Sequence, residues 1–398
     1  MKRIAIIGGG PAGLRAAESA STGEVEVTLF DAKPSVGRKF LVAGKGGLNL
    51  THSESLENFA KRYSSTTSEK DFWPSLLSEF PPQELREWAK SLGAETFAAG
   101  SGRVYLKTLK AAALLRAWVA RLRKFGVRFE MNHRLVSINP SDPIELGFSN
   151  GATPQANAVI LAMGGGSWPR TGSDGEWVKL FSSLGIGTNP LSAANCGWEC
   201  DWDPGFLAIA EGKPLKNVTV QANGHTVTGE LLITRYGVEG GPIYTLGRTL
   251  RGMTAPAVQI DLKPAHTQEQ LVAKMESVRR NFAAEARQRW KLSDAGYALL
   301  ARSEWGEVRS IACEAKCCTL ALKRPRPLAE AISSAGGVCW QEIDDTLMVK
   351  KVPGLFVAGE MIDWEAPTGG YLLQGCFATG SRAAKSALAW VNQTGDRQ

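Results

Sequence analysis

Arg3-Ile4-Ala5-Ile6-Ile7 reads as a strand with a continuous apolar stretch, and Gly8-Gly9-Gly10-Pro11-Ala12-Gly13 follows it directly. A strand buried on both faces has this pattern, with no polar alternation. Leu14-Arg15-Ala16-Ala17-Glu18-Ser19-Ala20 is helix-forming, Val25-Glu26-Val27-Thr28-Leu29-Phe30 makes a second strand, and Asp31 closes it. Strand, glycine turn, helix, strand and terminal acid, in about 30 residues, is the order of a dinucleotide-binding βαβ unit. Gly8 permits the tight turn, Gly10 lets the backbone approach a pyrophosphate, and Gly13 lets the helix pack close on the strand. The helix start offers free N–H groups and a dipole that favour an anion. Asp31 is placed so that its carboxylate accepts from both ribose hydroxyls.

The rest of the composition sets bounds around this unit. At 398 residues the chain exceeds one typical hydrophobic core. Glycine, 43 of 398, stands above the usual ~7% and clusters beside apolar runs, which points to tight turns against a ligand. No stretch approaches the ~18 uninterrupted apolar residues of a membrane span. Met1-Lys2-Arg3 leads straight into the first strand, so the start does not read as a signal peptide and the chain reads as cytoplasmic. The net charge of +7 permits an anionic ligand or nucleic acid without requiring either. Seven cysteines, with no CxxC pair, argue against a disulfide framework, and with four histidines they predict no metal site.

Further along, residues 53–100 read as polar helices, 108–125 as an amphipathic helix, and Val127–Glu130 and His133–Ile138 as strands. Ala158-Val159-Ile160-Leu161-Ala162 is another buried run, closed by Met163-Gly164-Gly165-Gly166. After about Pro190 the character changes to alternating runs such as Val218–Gln221 and Glu230–Thr234, typical of antiparallel strands. Residues 267–292 read as one long basic helix, and Lys323-Arg324-Pro325-Arg326-Pro327 as a linker. The buried-strand signature returns at Gly354–Glu360, followed by a helix over 371–391. The expected organisation is an α/β, Rossmann-like FAD-binding domain built from 1–190 and 340–398. A β-barrel-like insertion over 191–260 and a helical one with a return strand over 261–339 complete it.

Three separated segments resemble the set used by two-dinucleotide-fold flavoproteins: the opening unit, the strand ending Ala162-Met163-Gly164, and the closing Gly359-Glu360. Glu360-Met361-Ile362-Asp363-Trp364-Glu365-Ala366-Pro367-Thr368-Gly369-Gly370-Tyr371-Leu372-Leu373-Gln374 narrows the match. With Gly37-Arg38-Lys39, Gly102–Tyr105, Gly229–Leu232 and Ala335–Val338, it resembles the BaiN-like (HI-type) NAD(P)/FAD-dependent oxidoreductases of bacteria. The sequence departs from that family at Ala43-Gly44-Lys45-Gly46-Gly47-Leu48-Asn49, which lacks the usual arginine and cysteine, and at Arg235, often histidine there. These differences mark a subfamily.

The resemblance implies FAD held by Gly8, Gly10, Pro11, Ala12, Gly13, Asp31, Ala32, Lys33, Arg38, Lys39, Asn49, Val136, Ala162, Met163, Gly164, Gly359, Glu360 and the turn Gly369-Gly370-Tyr371-Leu372-Leu373. That turn would start a helix whose N–H groups face the flavin N1–C2=O edge and stabilise reduced flavin by roughly 0.3–2 kcal/mol. Val136 would offer its backbone to the adenine, and Arg38 and Lys39 would neutralise phosphate. For catalysis the candidates are Lys45, either a cation beside the flavin or a surface lysine, and Arg235 with Tyr236, either a substrate wall or a domain brace. His52 is either a flavin tether or an ordinary loop histidine, and Cys317-Cys318 with Cys376 either a redox relay or buried thiols.

The expected function is an FAD-dependent oxidoreductase moving hydride through flavin N5 to or from a small organic substrate, with NAD(P)H as a transient donor. No second GxGxxG unit marks a separate nicotinamide domain. The alternatives are a flavin-dependent RNA-modifying enzyme, motivated by the basic stretch, and a flavin-bound scaffold or sensor without catalysis. No membrane and no obligate protein partner are expected.

Overall fold

The computed structural model describes residues 1–65 and 72–393. β1 (Arg3–Ile7) leads into α1 (Pro11–Ala20), with Pro11 in the first turn, where its missing N–H leaves no bond unmade. β2 (Glu26–Asp31) lies parallel to β1, Ile7 opposite Phe30. Then come α2 (Arg38–Ala43), β3 (Asn49–His52), α3 (Leu56–Ala60), α4 (Trp73–Glu79) and α5 (Pro82–Ser91). β4 (Thr96–Ala98) and β5 (Arg103–Leu106) join β3 in a small antiparallel sheet ordered β3-β5-β4. The stretch read as helical over 53–100 is therefore three short helices ending in a hairpin, with 66–71 outside the described residues. α6 (Ala111–Lys124) and β6 (Arg128–Met131) follow, then β7 (Leu135–Asn139), β8 (Ile144–Phe148), β9 (Gln155–Ala156), β10 (Ala158–Leu161), α7 (Trp177–Ser183) and β11 (Thr188–Ala194).

The inserted segment carries β12 (Trp198–Glu199), α8 (Pro204–Ala210), β13 (Pro214–Ala222), β14 (His225–Thr234), β15 (Gly237–Gly240) and α9 (Gly241–Arg251). It continues with β16 (Ala257–Asp261), α10 (Gln268–Ala273), α11 (Phe282–Arg289), α12 (Asp294–Leu300), α13 (Val308–Lys316) and β17 (Cys318–Ala321). The chain returns through β18 (Ser333–Val338) and β19 (Leu355–Val357) to the 23-residue α14 (Tyr371–Gln393). Two compact units result: Met1–Ser192 with Ser333–Gln398, and Ala193–Ile332. The insertion is one unit, not two, and the return strand β18 counts with the first.

The first unit is centred on a parallel sheet ordered β19-β10-β1-β2-β6. Its middle strands carry Ile4, Ile6, Val159 and Ile160, all fully buried, which is why they read as unbroken apolar runs. Burying each such side chain contributes about 1.5–3 kcal/mol. α1 and α14 pack against one another, with α14 also lying on β10 and β19.

The inserted unit has its own core, with Trp198, Val220, Ile233, Ile260 and Trp290 among the buried residues. Its antiparallel sheet runs β12-β15-β14-β13-β16-β17. The run read as a linker closes this sheet. Lys323 N donates to Glu199 O (2.8 Å), Glu199 N to Arg324 O (2.9 Å) and Arg326 N to Gly197 O (2.8 Å), so the segment after β17 pairs with β12. The arginines spread along that seam are held by Glu199, which takes Arg324 Nε at 2.7 Å and Arg326 at 2.9 Å. Closure leaves no open edge at the seam, which is what makes the unit barrel-like. The basic helix read over 267–292 is broken: Asn281, at φ 55°, separates α10 from α11. Two of its four arginines pair with carboxylates, Arg289 with Glu285 and Arg287 with Asp294.

One polar group sits deep in the first unit. Glu18, on α1, is 6% exposed and accepts from Trp88 Nε1 (2.8 Å), Trp118 Nε1 (2.9 Å) and Arg121 (3.1 Å). Arg15 stands 3.5 Å away. The carboxylate thus clamps α5 and α6 onto α1. Removing one partner of a buried charge network is expensive, because the others are left unpaired. Glu18→Leu is therefore expected to lower the unfolding free energy by about 3–5 kcal/mol in urea titrations, and a change below about 1 kcal/mol would show that the network carries no stability.

Candidate functional site

The turn from β1 into α1 is built by contacts that allow no side chain. Gly8 has φ 108°, and a Cβ there would lie 2.3 Å from Ala162 O. A Cβ on Gly13 would lie 1.8 Å from Gly8 O, so the helix meets the strand backbone to backbone. Gly10 differs: the space its side chain would fill holds no atom within 4 Å. It is also the N-cap of α1 with no side-chain cap, so the first N–H groups of the helix are left free for a ligand.

That open space belongs to a cavity of about 480 Å³ in the first unit. Gly8, Gly10, Pro11, Ala12, Asp31, Ala32, Arg38, Lys39, Val136, Ala162, Met163, Gly164, Gly359 and Glu360 line it, segments more than 300 residues apart in the chain brought to one wall. Gly13 lies behind this wall. Lys33 enters through its backbone, its N–H donating to Asp31 Oδ1 at 2.7 Å. Gly9 N donates to Asp31 Oδ2, also at 2.7 Å. Burial pushes the Asp31 carboxyl above its usual range, against the pull of these two amides and of Arg38 and Lys33.

Lys39 does not point at an isolated anion site. Its Nζ donates to Glu360 Oε2 (2.8 Å) and to Ser167 Oγ (2.6 Å), tying α2 to the end of β19 across the cavity. The pair neutralises the Glu360 carboxylate at the cavity wall. The same wall holds groups the sequence reading missed. Arg134 pairs with Asp174 at 2.8 Å, and Trp177 Nε1 donates to Gly164 O at 2.8 Å. Ser173 Oγ is buried with no hydrogen-bond partner. An orphaned hydroxyl beside an open cradle fits a polar ligand, and only Gly164, one glycine in a run, hinted at this corner. Val136 is 55% exposed on β7, a strand residue left uncovered by the protein.

Asn49, Gly369, Gly370, Tyr371, Leu372 and Leu373 are not on that wall and form a second centre. Gly370, at φ 97°, brings the start of α14 so close to β3 that a Cβ would lie 2.5 Å from Thr51 backbone. With its amide oriented to satisfy both ends, Asn49 accepts from Gly370 N (3.3 Å) and donates to Thr51 O and Val104 O (3.0 Å each). Gln374 locks the same helix turn: Thr51 Oγ1 donates to its Oε1 at 2.9 Å, and its Nε2 donates to Phe80 O at 2.7 Å. Tyr371 packs on Phe59 and His52, and its hydroxyl donates to Glu54 Oε1 at 2.5 Å. Burial, then the Glu54 carboxylate, push the Tyr371 phenol well up. His52, the last residue of β3, has both ring nitrogens engaged: Nδ1 accepts from Glu54 N (3.2 Å), which leaves Nε2 to donate to Ser101 O (3.0 Å).

Lys45 is exposed in the turn after α2 and does not line the cavity. A cation that does stand at the glycine turn is Arg103. A Cβ on Gly369 would lie 3.7 Å from its Nε, and among the described residues it pairs with no carboxylate. Arg235 and Tyr236 form the tip of the β14–β15 hairpin in the inserted unit, Arg235 exposed and Tyr236 held by Glu239 with Arg326 4.4 Å over its ring. Cys376 lines the cavity, where burial holds its thiol well up, and burial pushes Cys318 up to about 12. Thiolate is scarce at both.

A model of the family described as HI0933-like protein Rossmann domain matches residues 2–386. The 3-dehydro-bile acid delta(4,6)-reductase of Clostridium scindens is 29% identical over 97% of this chain and 99% of its own. The ribosomal RNA dihydrouridine synthase of Escherichia coli is 23% identical over 96% of this chain and 97% of its own. Among solved structures, the 3-ketosteroid-delta4-(5alpha)-dehydrogenase of Rhodococcus jostii RHA1 superposes with a TM-score of 0.52 at 16% identity, covering 97% of both chains, a likeness of fold. Among the described residues no helix is long and apolar enough to cross a membrane.

Two outcomes test this geometry. Gly10→Val fills open space, so FAD affinity is expected to fall at least ~10-fold, by about 1.4 kcal/mol, with little loss of apo stability; Gly13→Val collides with Gly8 O and destabilises the fold itself. Equal losses of stability in both would contradict the open cradle. The second concerns Glu54, whose carboxyl is raised by burial but held below its usual range overall by the Arg62 and Tyr371 hydrogen bonds. A depressed carboxyl adds stability above its unfolded value of about 4.3 and loses it as pH falls through the folded one. Glu54→Gln should flatten that acid limb in urea titrations; an unchanged limb would mean the triad contributes nothing.

Proposed function

The chain belongs to the HI0933-like protein family and is an FAD-dependent oxidoreductase, and on that premise we propose that it moves hydride between flavin N5 and a small organic molecule, with NAD(P)H as transient donor. The observation that carries the cofactor reading is the open cradle at Gly10, under an uncapped helix start and beside Asp31. In this reading the α1 N–H groups bind the pyrophosphate and Asp31 takes the ribose hydroxyls. The Lys39–Glu360 pair keeps the ribitol side neutral, and Val136 presents its backbone to the adenine. The Gly369–Gly370 turn, held by Asn49 and Gln374, aims the first amides of α14 at the flavin edge.

The names of two relatives share a chemistry: a delta(4,6)-reductase and a dihydrouridine synthase both add hydrogen to a ring carbon–carbon double bond. We extend that to this chain as reduction of a ring double bond conjugated to a carbonyl. One hydride from NAD(P)H ends on the β carbon and one proton from solvent on the α carbon, giving NAD(P)⁺ and the saturated ring. Arg103, uncompensated beside Gly369, is the residue placed to stabilise negative charge that develops during transfer. In the basic run 267–292, the feature that favoured RNA as a substrate, Arg287 and Arg289 are taken up by Asp294 and Glu285, and the small-molecule reading is the one retained.

The purified chain should show a two-banded flavin spectrum that bleaches on anaerobic titration with NADH or NADPH and recovers on adding a cyclic enone. A yellow protein inert to both donors would remove NAD(P)H; a colourless one that refuses FAD would remove the proposal. Arg103→Leu is expected to retain FAD but slow reoxidation by the enone roughly 10²-fold, and an unchanged rate would exclude the guanidinium.

A further inference from the structure

The inserted unit contains a second cavity, of about 650 Å³, between the start of β13, the loop after β16 and the segment joining α11 to α12. Its charged lining is one-sided. Lys213, Lys216, Lys263 and Lys291 line it, with His266, against a single carboxylate, Asp294. Asp294 is already committed, to Lys213 at 2.5 Å and to Arg287 outside the cavity. Lys263 Nζ donates only to a carbonyl, Lys291 O, at 3.1 Å. Among the described residues Lys216, Lys263 and Lys291 have no carboxylate partner.

The backbone holds these cations where they are. β13 carries a bulge between Leu215 and Val218, where Lys216 and Asn217 stand opposite the single residue Glu230 of β14, one residue extra, and Asn217 sits at φ 52°. Bulges are used beside sites to redirect a side chain. Lys291 itself adopts φ 52° at the end of α11, a position that ordinarily favours glycine. A left-handed lysine facing other lysines stores both strain and repulsion, and such strain gathers at functional positions. Burial, then Lys274 and Lys291, hold the Lys263 ammonium below its ordinary value, the sign of a charge without a counter-charge.

We infer that this cavity binds a compact, multiply charged phosphate group, such as the pyrophosphoryl part of a small phosphorylated molecule, with Lys216, Lys263 and Lys291 as its ligands. Lysine suits phosphate as a mobile point charge, and converging ammonium groups match an anion that carries several charges on one centre. The three lysines line one hollow, Lys263 half-buried and Lys216 and Lys291 exposed, and an enclosed lining favours a compact anion over a polymer backbone.

The test uses the FAD-saturated chain, so that the first cavity is filled, and inorganic pyrophosphate as probe in calorimetric titration. One site is expected, weakening with added salt. The double variant Lys263→Gln, Lys291→Gln should weaken it at least ~10-fold with no loss of thermal stability, because it removes like-charge repulsion. No binding heat, or an unchanged affinity in the double variant, would overturn the site. An RNA oligonucleotide that displaces pyrophosphate at lower concentration than citrate or a nucleoside diphosphate would overturn the compact-anion assignment in favour of a nucleic-acid backbone. These outcomes are independent of whether the flavin reacts.

Discussion

Three backbones meet in the first unit with no side chain between them. Gly8 lies against Ala162, Gly13 against Gly8, and Gly380 on α14 against Ala12, where a Cβ would stand 2.4 Å from the carbonyl oxygen. The shape of the first unit's cavity follows from this stacking. It presses α1 down onto the end of β1, so that the uncapped helix start opens into the cavity and not into solvent. It also brings the end of β10 and the end of β19 to the same height, which is how Met163 and Glu360 come to share a wall with Asp31.

Around this packing, polar side chains tie the neighbouring elements together. Glu18 gathers two indoles and a guanidinium. Gln374 and Asn49 play the same part around the start of α14, binding strand, helix and the end of α4 through one amide each. A buried amide with both ends satisfied specifies one arrangement, because any shift leaves a donor or acceptor without a partner. The Gly369–Gly370 turn is therefore held for two reasons, sterics against Thr51 and the hydrogen bond that Gly370 N donates to Asn49.

The inserted unit follows another rule. Its sheet is antiparallel and closes through the stretch Lys323–Arg326, which local reading takes for a linker because of its prolines and charges. Those charges are the closure: Glu199 is their counter-ion, more than 100 residues away. The same holds for Arg287 and Arg289, whose counter-ions are Asp294 and Glu285. Charge read along a chain gives no sign of which partner tertiary contact will supply.

By itself the sequence determined the βαβ unit, the parallel strands and the glycines of both turns. These depend on period, local sterics and backbone conformation, all set within a few residues of each other. The segments that line the cavity of the first unit were legible for the same reason, since each carries its own signature. What only the tertiary structure decided is where side-chain charge is spent. Lys39 goes to Glu360. Arg103 stands at the glycine turn, a place Lys45 does not reach. Ser173, Arg134 and Trp177 complete a corner that no spacing announced. A charge or hydroxyl acts over a few ångströms in any direction, and its partner can lie hundreds of residues off, so pairing is a property of the packed chain and not of its order.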